Sequence, residues 1–274
     1  MSLLRSFLLA AFTGLVSTAA AAAPTVPVSV SAPAAPLAIG DTWLLPSTVL
    51  GEQRRINVYV PPGVTPGTRL PVVYMPDGGL QEDFLHVAGL LQVGAGNGTT
   101  RPFLLVGIEN TERRRDLTGP TENAKDRTIA PRVGGSQAFR DFIRKELMPD
   151  IARRYAVTSE RVIVGESLAG LFVVETLLRE PDLFDTYIAI DPSLWWNDGK
   201  LVQQARAAPL TVPGRRRLHI ATSADGRPGL NLAALQAIFP ESSGVTFTFD
   251  DWPAETHATI YHPAALKAFR TLLK

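Results

Sequence analysis

Arg161-Val-Ile-Val-Gly-Glu-Ser-Leu-Ala-Gly170 is the stretch whose reading decides the fold. Residues 162–164 form a short continuous apolar run, the pattern of a strand buried on both faces of a parallel sheet. From 168 to 179 the chain is apolar nearly all round, which predicts a helix covered by other elements. Ser167 stands at the junction, with Gly165 two residues before it and Ala169 two after. Small neighbours permit a strained strand-to-helix turn that lifts a hydroxyl above the sheet, the nucleophile elbow. A serine at a helix start can also be a plain N-cap, but strand, turn and helix together favour the elbow.

Outward from this junction the same alternation repeats. Residues 55–60 read as a strand stopped by Pro61 and Pro62, which cannot donate to a sheet ladder. Further apolar runs at 70–75, 103–108, 187–190, 218–222 and 245–249 predict strands. The clearest helix is predicted over 136–155, where Phe139, Phe142, Ile143, Leu147, Ile151 and Tyr155 recur at three- and four-residue steps, with Pro149 as a possible kink. Other helical segments are expected early in the chain around His86, near 201–208 and 230–239, and over 263–273, where Pro263 suits the first turn. Strands alternating with helices imply an α/β class with a mostly parallel central sheet and helices on both faces.

Composition bounds the function. The chain has 274 residues, 45% of them hydrophobic, enough for one catalytic domain, expected over 39–274. A formal charge of +1 offers no global field for nucleic acid or an anionic membrane. Cysteine is absent, which excludes disulfides, a thiolate nucleophile and cysteine-ligated zinc, and leaves serine chemistry untouched. Residues 1–23 read as a secretory signal: Arg5 closes a positive region, 6–16 is apolar but too short to span a bilayer, and 17–23 is small and alanine-rich. Residues 24–38, with prolines at 24, 27, 33 and 36, read as an extended linker. The expectation is an exported protein, periplasmic or extracellular, with no stable membrane anchor after cleavage.

A serine hydroxyl needs a base within hydrogen-bond reach. Of the four histidines, His86 and His262 fall in or at predicted helices and His219 in a strand. His257 alone lies in a loop after the last strand, completing the chain order serine, acid, histidine; His262 is its competitor. For the acid that orients the imidazole, Asp225 follows the 218–222 strand and is the first choice. Asp191, after the preceding strand, is the alternative, and Glu255 a third; Asp225-Gly226 and Asp191-Pro192 are also ordinary turn pairs. Oxyanion donors are expected from the amide of Leu168 and from the loop after 70–75, where Gly78 and Gly79 allow close backbone approach. Trp195 and Trp196 could wall the substrate pocket or pack on the core. Arg113, Arg114 and Arg115 could hold an anionic or catecholate substrate, Arg115 being the first choice, or form a solvated face.

The runs Gly165-Glu-Ser-Leu-Ala-Gly-Leu-Phe172, Pro181-Asp-Leu-Phe-Asp185 and Asp191-Pro-Ser-Leu-Trp-Trp-Asn-Asp198 resemble the putative-esterase family of α/β hydrolases, in its branch related to siderophore esterases. Val73-Tyr-Met-Pro-Asp-Gly78 and Ile108-Glu-Asn-Thr-Glu-Arg-Arg-Arg-Asp-Leu-Thr118 carry the same resemblance. That family holds feruloyl and acetylxylan esterases, siderophore-lactone esterases and mycolyl transferases, and Ala169 stands where it usually has glycine. The resemblance implies an α/β-hydrolase fold, Ser167 as nucleophile, His257 as base, and an oxyanion hole around Gly78 and Leu168. The activity expected is ester hydrolysis through an acyl-enzyme on a small-molecule ester, a siderophore lactone or a feruloyl or acetyl ester, with no metal or organic cofactor. An acyltransferase on the same residues and a non-catalytic binding protein of this fold are the alternatives.

Overall fold

The computed structural model describes residues 34–274 apart from 208, 209 and 213; the expected signal at 1–23 and most of the expected linker lie outside the described residues. Eight strands build one sheet: β1 (Gly40–Ser47), β2 (Glu52–Tyr59), β3 (Leu70–Pro76), β4 (Leu104–Ile108), β5 (Val157–Glu166), β6 (Thr186–Ile190), β7 (Arg216–Ser223) and β8 (Val245–Trp252). Their order is β1-β2-β4-β3-β5-β6-β7-β8. β1 pairs antiparallel with β2, and β2 with β4; every later pairing, from β3–β4 to β7–β8, is parallel.

Along the central strands, side chains alternate between two buried apolar clusters, which is why these strands read as unbroken apolar runs. Tyr74, Ile163, Tyr187 and Ala189 enter one cluster, while Val73, Met75, Val162, Val164, Ile188 and Ile190 enter the other. Helix α1 (Phe84–Gly96) covers the second face; short α2 (Arg113–Leu117) follows β4. α3 (Ser136–Phe142), α4 (Met148–Arg154) and α5 (Leu168–Arg179) cover the first face. After them come α6 (Lys200–Ala207), α7 (Leu232–Ile238), whose Leu235 and Ile238 join the first face, and α8 (Tyr261–Leu272), which packs beside α1 on the second.

Two features differ from expectation. The helix expected over 136–155 contains a π-helical turn at Ile143–Leu147, and Pro149 falls in the first turn of α4 just beyond it. Proline cannot donate the usual amide, so the helix widens before it and continues. Strand β1 was not anticipated, because it lies at the sheet edge, most of it faces solvent, and it contains Pro46.

Arg54 of β2 is fully buried and pairs with the buried carboxylate of Asp116 in α2, while donating to the Glu109 carbonyl at 3.2 Å. The pair ties α2 to the sheet. Replacing Asp116 with alanine leaves the buried guanidinium with only the partly exposed Glu52 carboxylate, 2.8 Å from its Nε, and is expected to lower stability by about 3 kcal/mol. A lower urea midpoint with an unchanged slope measures it.

Candidate active site

Ser167 has φ 60° and ψ −118°, a region that a non-glycine residue occupies only at a cost of about 1–3 kcal/mol. Neighbouring backbone holds it there. Its N–H donates to the Ile190 carbonyl at 3.0 Å, and its own carbonyl accepts from Leu171 N at 2.9 Å and Ser193 N at 3.0 Å. A side-chain carbon on Gly165 would lie 2.7 Å from Ala169, and one on Gly170 would lie 3.0 Å from the Ile190 carbonyl oxygen. The elbow is thus crowded enough to need small residues on both sides, and the methyl of Ala169 is accommodated because position 165 has no side chain.

His257 sits in the loop between β8 and α8. Its Nε2 is 3.1 Å from the Ser167 hydroxyl oxygen, and its Nδ1 is 2.6 Å from Oδ2 of Asp191. The carboxylate on the imidazole is therefore that of Asp191 and not, as first expected, that of Asp225. The reason lies in the strand ends. Asp191 directly follows β6, with φ 44°, and its side chain is only 1% exposed. The last residues of β7 wrap that carboxylate: Ser223 N donates at 2.9 Å, Ser223 Oγ at 2.7 Å and Thr222 Oγ1 at 3.0 Å. Asp225 lies two residues beyond β7 and reaches the backbone only, Oδ2 accepting from His257 N at 2.9 Å. Its neighbour Gly226 matters for space, since a side-chain carbon there would lie 1.9 Å from Asp191 Oδ1. Glu255 contributes its carbonyl to Ala224 N at 3.0 Å, and His262 stacks on His86 with ring centres 5.0 Å apart.

The protonation states follow from these contacts. Burial works to raise the Asp191 carboxyl, but the bonds from His257, Ser223 and Thr222 outweigh it and hold the group down to about 2. His257 is raised above its ordinary value, first by its bond to Asp191 and, against partial burial, by the charges of Glu166, Asp191 and Asp225. Burial pushes Glu166, the residue before the serine, up to about 7, although His257 and Arg113 pull the other way.

The remaining expected site residues divide. The Leu168 amide, at the first residue of α5, has no acceptor among the described residues. Gly78 N donates to the Ile108 carbonyl at 3.0 Å, so its amide is engaged in the sheet and not aimed at a ligand. Gly78 is glycine for another reason: a side-chain carbon would lie 2.2 Å from the Ile108 nitrogen, so β3 and β4 could not close. The next amide, Gly79 N, donates at 2.7 Å to the Glu82 side chain. Trp196 is buried and donates its indole N–H to the Gly119 carbonyl at 2.9 Å, hence a packing residue; Trp195 is 50% exposed. Arg115 is held by Glu52 at 2.7 Å and Asp116 at 2.6 Å, which removes it from any substrate. Arg113 instead makes a two-pronged pair with Asp77 at 2.7 and 2.8 Å, at the carboxyl end of β3, and Arg114 is exposed. Sequence reasoning missed Arg113–Asp77 and Glu166 as parts of this edge, since contacts between strand ends leave no local periodicity.

Comparison with known proteins agrees with this architecture. A family model described as "Putative esterase" matches residues 47–236. The ferri-bacillibactin esterase BesA of Bacillus subtilis is 34% identical over 168 residues, 53% of this chain and 56% of that protein. The siderophore triacetylfusarinine C esterase of Aspergillus fumigatus is 32% identical over 149 residues, 50% of this chain and 49% of that protein. The chain thus spans about half the length of these curated relatives. Among solved structures, an IroE-like serine hydrolase from Shewanella oneidensis superimposes with a TM-score of 0.74 at 28% identity, over 85% of this chain and 80% of that one. With the family match covering more than half of its length, this chain belongs to the Putative esterase family and has the α/β-hydrolase fold.

Proposed function

We propose that the protein is a serine carboxylic-ester hydrolase that works through an acyl-enzyme, with Ser167 as nucleophile, His257 as general base and Asp191 as the acid behind it. One observation carries the reading: the unbroken line from Asp191 Oδ2 through His257 to the Ser167 hydroxyl, with links of 2.6 and 3.1 Å. Asp191 fixes the tautomer that leaves the Nε2 lone pair facing serine. As the Ser167 oxygen attacks an ester carbonyl, its proton passes to Nε2 and the buried carboxylate stabilises the imidazolium. The Leu168 amide is one donor to the oxyanion. Gly79 N supplies the second, because its present partner is a side chain that a substrate oxygen can displace, whereas the Gly78 amide is tied to the sheet. Collapse of the tetrahedral intermediate expels the alcohol, which takes the proton from His257, and water then clears the acyl group by the same route.

For substrate, we propose an ester of a siderophore, an iron-chelating small molecule. The reading is supported by relatives that are themselves named as siderophore esterases. We further propose that the chain is exported, on the order of positive, apolar and small residues in 1–23; N-terminal sequencing of protein recovered outside the cytoplasm checks the cleavage.

Purified protein incubated with a fluorophosphonate probe is expected to label at Ser167, and S167A to lose that label. Turnover of a trilactone siderophore well above that of simple aryl esters supports the substrate class, and aryl-ester turnover alone argues against it. Asp191→Asn is expected to lower kcat by about 10³–10⁴-fold, because an amide stabilises the wrong tautomer. Asp225→Asn, which keeps an acceptor for His257 N, is expected to cost less than about tenfold. The reverse ranking of the two variants, read from kcat on one ester, would return the acid role to Asp225.

A further inference from the structure

Nε2 of His257 faces two oxygens rather than one. The Ser167 hydroxyl is at 3.1 Å and Glu166 Oε1 at 3.3 Å. Strand geometry explains the second contact. Val162 and Val164 point into the face covered by α1 and α8, and Glu166 continues that alternation at the end of β5. His257 arrives from the loop that leads into α8, so the two side chains meet. The Glu166 side chain is only 16% exposed. Its charged and titratable surroundings are His257, Arg113 with its partner Asp77, Asp191, and Tyr261 of α8, whose ring also packs edge-on against His86. Asp83 lies beyond Asp77, and Asp225 faces His257 from the loop after β7.

We propose that Glu166 is a positioning residue for the general base: its carboxyl competes with the Ser167 hydroxyl for Nε2 of His257 and sets the pH range in which that nitrogen is free to take the serine proton. The inference rests on the ester-hydrolase reading for its consequence in catalysis.

The proton balance is simple. With Nδ1–H donated to Asp191, a single further proton shared by the pair has two resting places. On Nε2 it makes an imidazolium held between the carboxylates of Asp191 and Glu166, and the base is blocked. On Glu166 Oε1 it is donated to the Nε2 lone pair in competition with the Ser167 hydroxyl, and only on the other carboxyl oxygen does it leave that lone pair open to Ser167. Loss of that proton leaves neutral imidazole beside ionised Glu166, which is also competent. Burial raises the Glu166 carboxyl and the bond to Asp191 raises the His257 imidazole, and with 3.3 Å between them their protons leave in steps that belong to the pair.

Nucleophile activation in the wild type should therefore rise with pH over a limb broader than one ionisation. Replacing Glu166 by glutamine removes a negative charge that favours the imidazolium, so the base becomes free at lower pH. Because His257 is half exposed, the expected displacement is about 0.5–1 pH unit toward acid, and the limb should narrow to one ionisation. Below the wild-type midpoint this corresponds to labelling about three- to tenfold faster in E166Q.

The test is the rate of fluorophosphonate labelling at Ser167 against pH for the wild type, E166Q and E166A, together with ¹⁵N NMR titration of the His257 imidazole in the same proteins. Narrower, acid-shifted limbs in both variants, with a matching change in the imidazole titration, support the proposal. Superimposable limbs and titrations overturn it while leaving the serine hydrolase reading intact. A wild type that never labels overturns that reading instead, and the imidazole titration still decides whether Glu166 shares the proton. Should neither variant fold by circular dichroism, a wild-type His257 titration that follows a single ionisation overturns the proposal by itself.

Discussion

A carboxylate buried at the end of β6 is the constraint around which the carboxyl edge of the sheet is organised. Removing an ion from water costs several kcal/mol unless it is fully satisfied. Asp191 meets that demand with the imidazole of His257, two hydroxyls and one backbone amide. Three of those donors come from Thr222 and Ser223, so the end of β7 is shaped by the charge on β6. The absence of a side chain at Gly226 then keeps the next turn off Asp191 Oδ1. Asp225, held to the His257 backbone at 2.9 Å, fixes the loop that delivers the fourth donor. Elements more than thirty residues apart thus have their local conformations set by one group.

Backbone strain gathers at the same edge. Among the described residues, Asp77, Ser167 and Asp191 all have positive φ without being glycine, at 55°, 60° and 44°. They follow three strands that lie side by side, β3, β5 and β6. Each is held by bonds into its neighbours: Ser167 N to the Ile190 carbonyl at 3.0 Å, Asp191 N to the Ala221 carbonyl at 2.7 Å, and Asp77 through its carbonyl to Asp83 N at 3.0 Å. A doubly buried parallel sheet resists the relaxation that would release this strain. The consequence is an edge at which the Ser167 hydroxyl and the Asp191 carboxylate stand on either side of one imidazole, at 3.1 and 2.6 Å.

How much of this could be read from the chain depends on whether the signal is local. The elbow is local: apolar strand, small–Glu–Ser–Leu–small turn and apolar helix lie within twenty residues. His257 could be singled out because the other histidines fell in or at predicted helices or in a strand. Choosing between Asp191 and Asp225 was a different problem, since both follow a strand and both precede a turn-forming residue. What separates them is that β6 lies between β5 and β7, and that the β7 end folds over the β6 carboxylate. Spacing along the chain carries neither fact. Arg115 misled for the same reason, because its partner Glu52 lies 63 positions away on β2. The choice for Trp196 between pocket wall and core packing stayed open in the sequence, as its indole finds the Gly119 carbonyl across 77 positions.

The residue before the serine repays a geometric argument of its own. In a strand buried on both sides, alternate residues must enter opposite faces, and the elbow ends β5 with Glu166 in phase with Val162 and Val164. That face is the one covered by α8, and the loop leading into α8 carries His257. Any side chain at position 166 is therefore directed toward the base by the register of the sheet. An apolar residue there would merely extend the core. A carboxyl instead puts a second ionisable group 3.3 Å from the imidazole nitrogen that faces the Ser167 hydroxyl. The elbow thus fixes the Ser167 hydroxyl and, through strand phase alone, the electrostatic setting of the imidazole beside it.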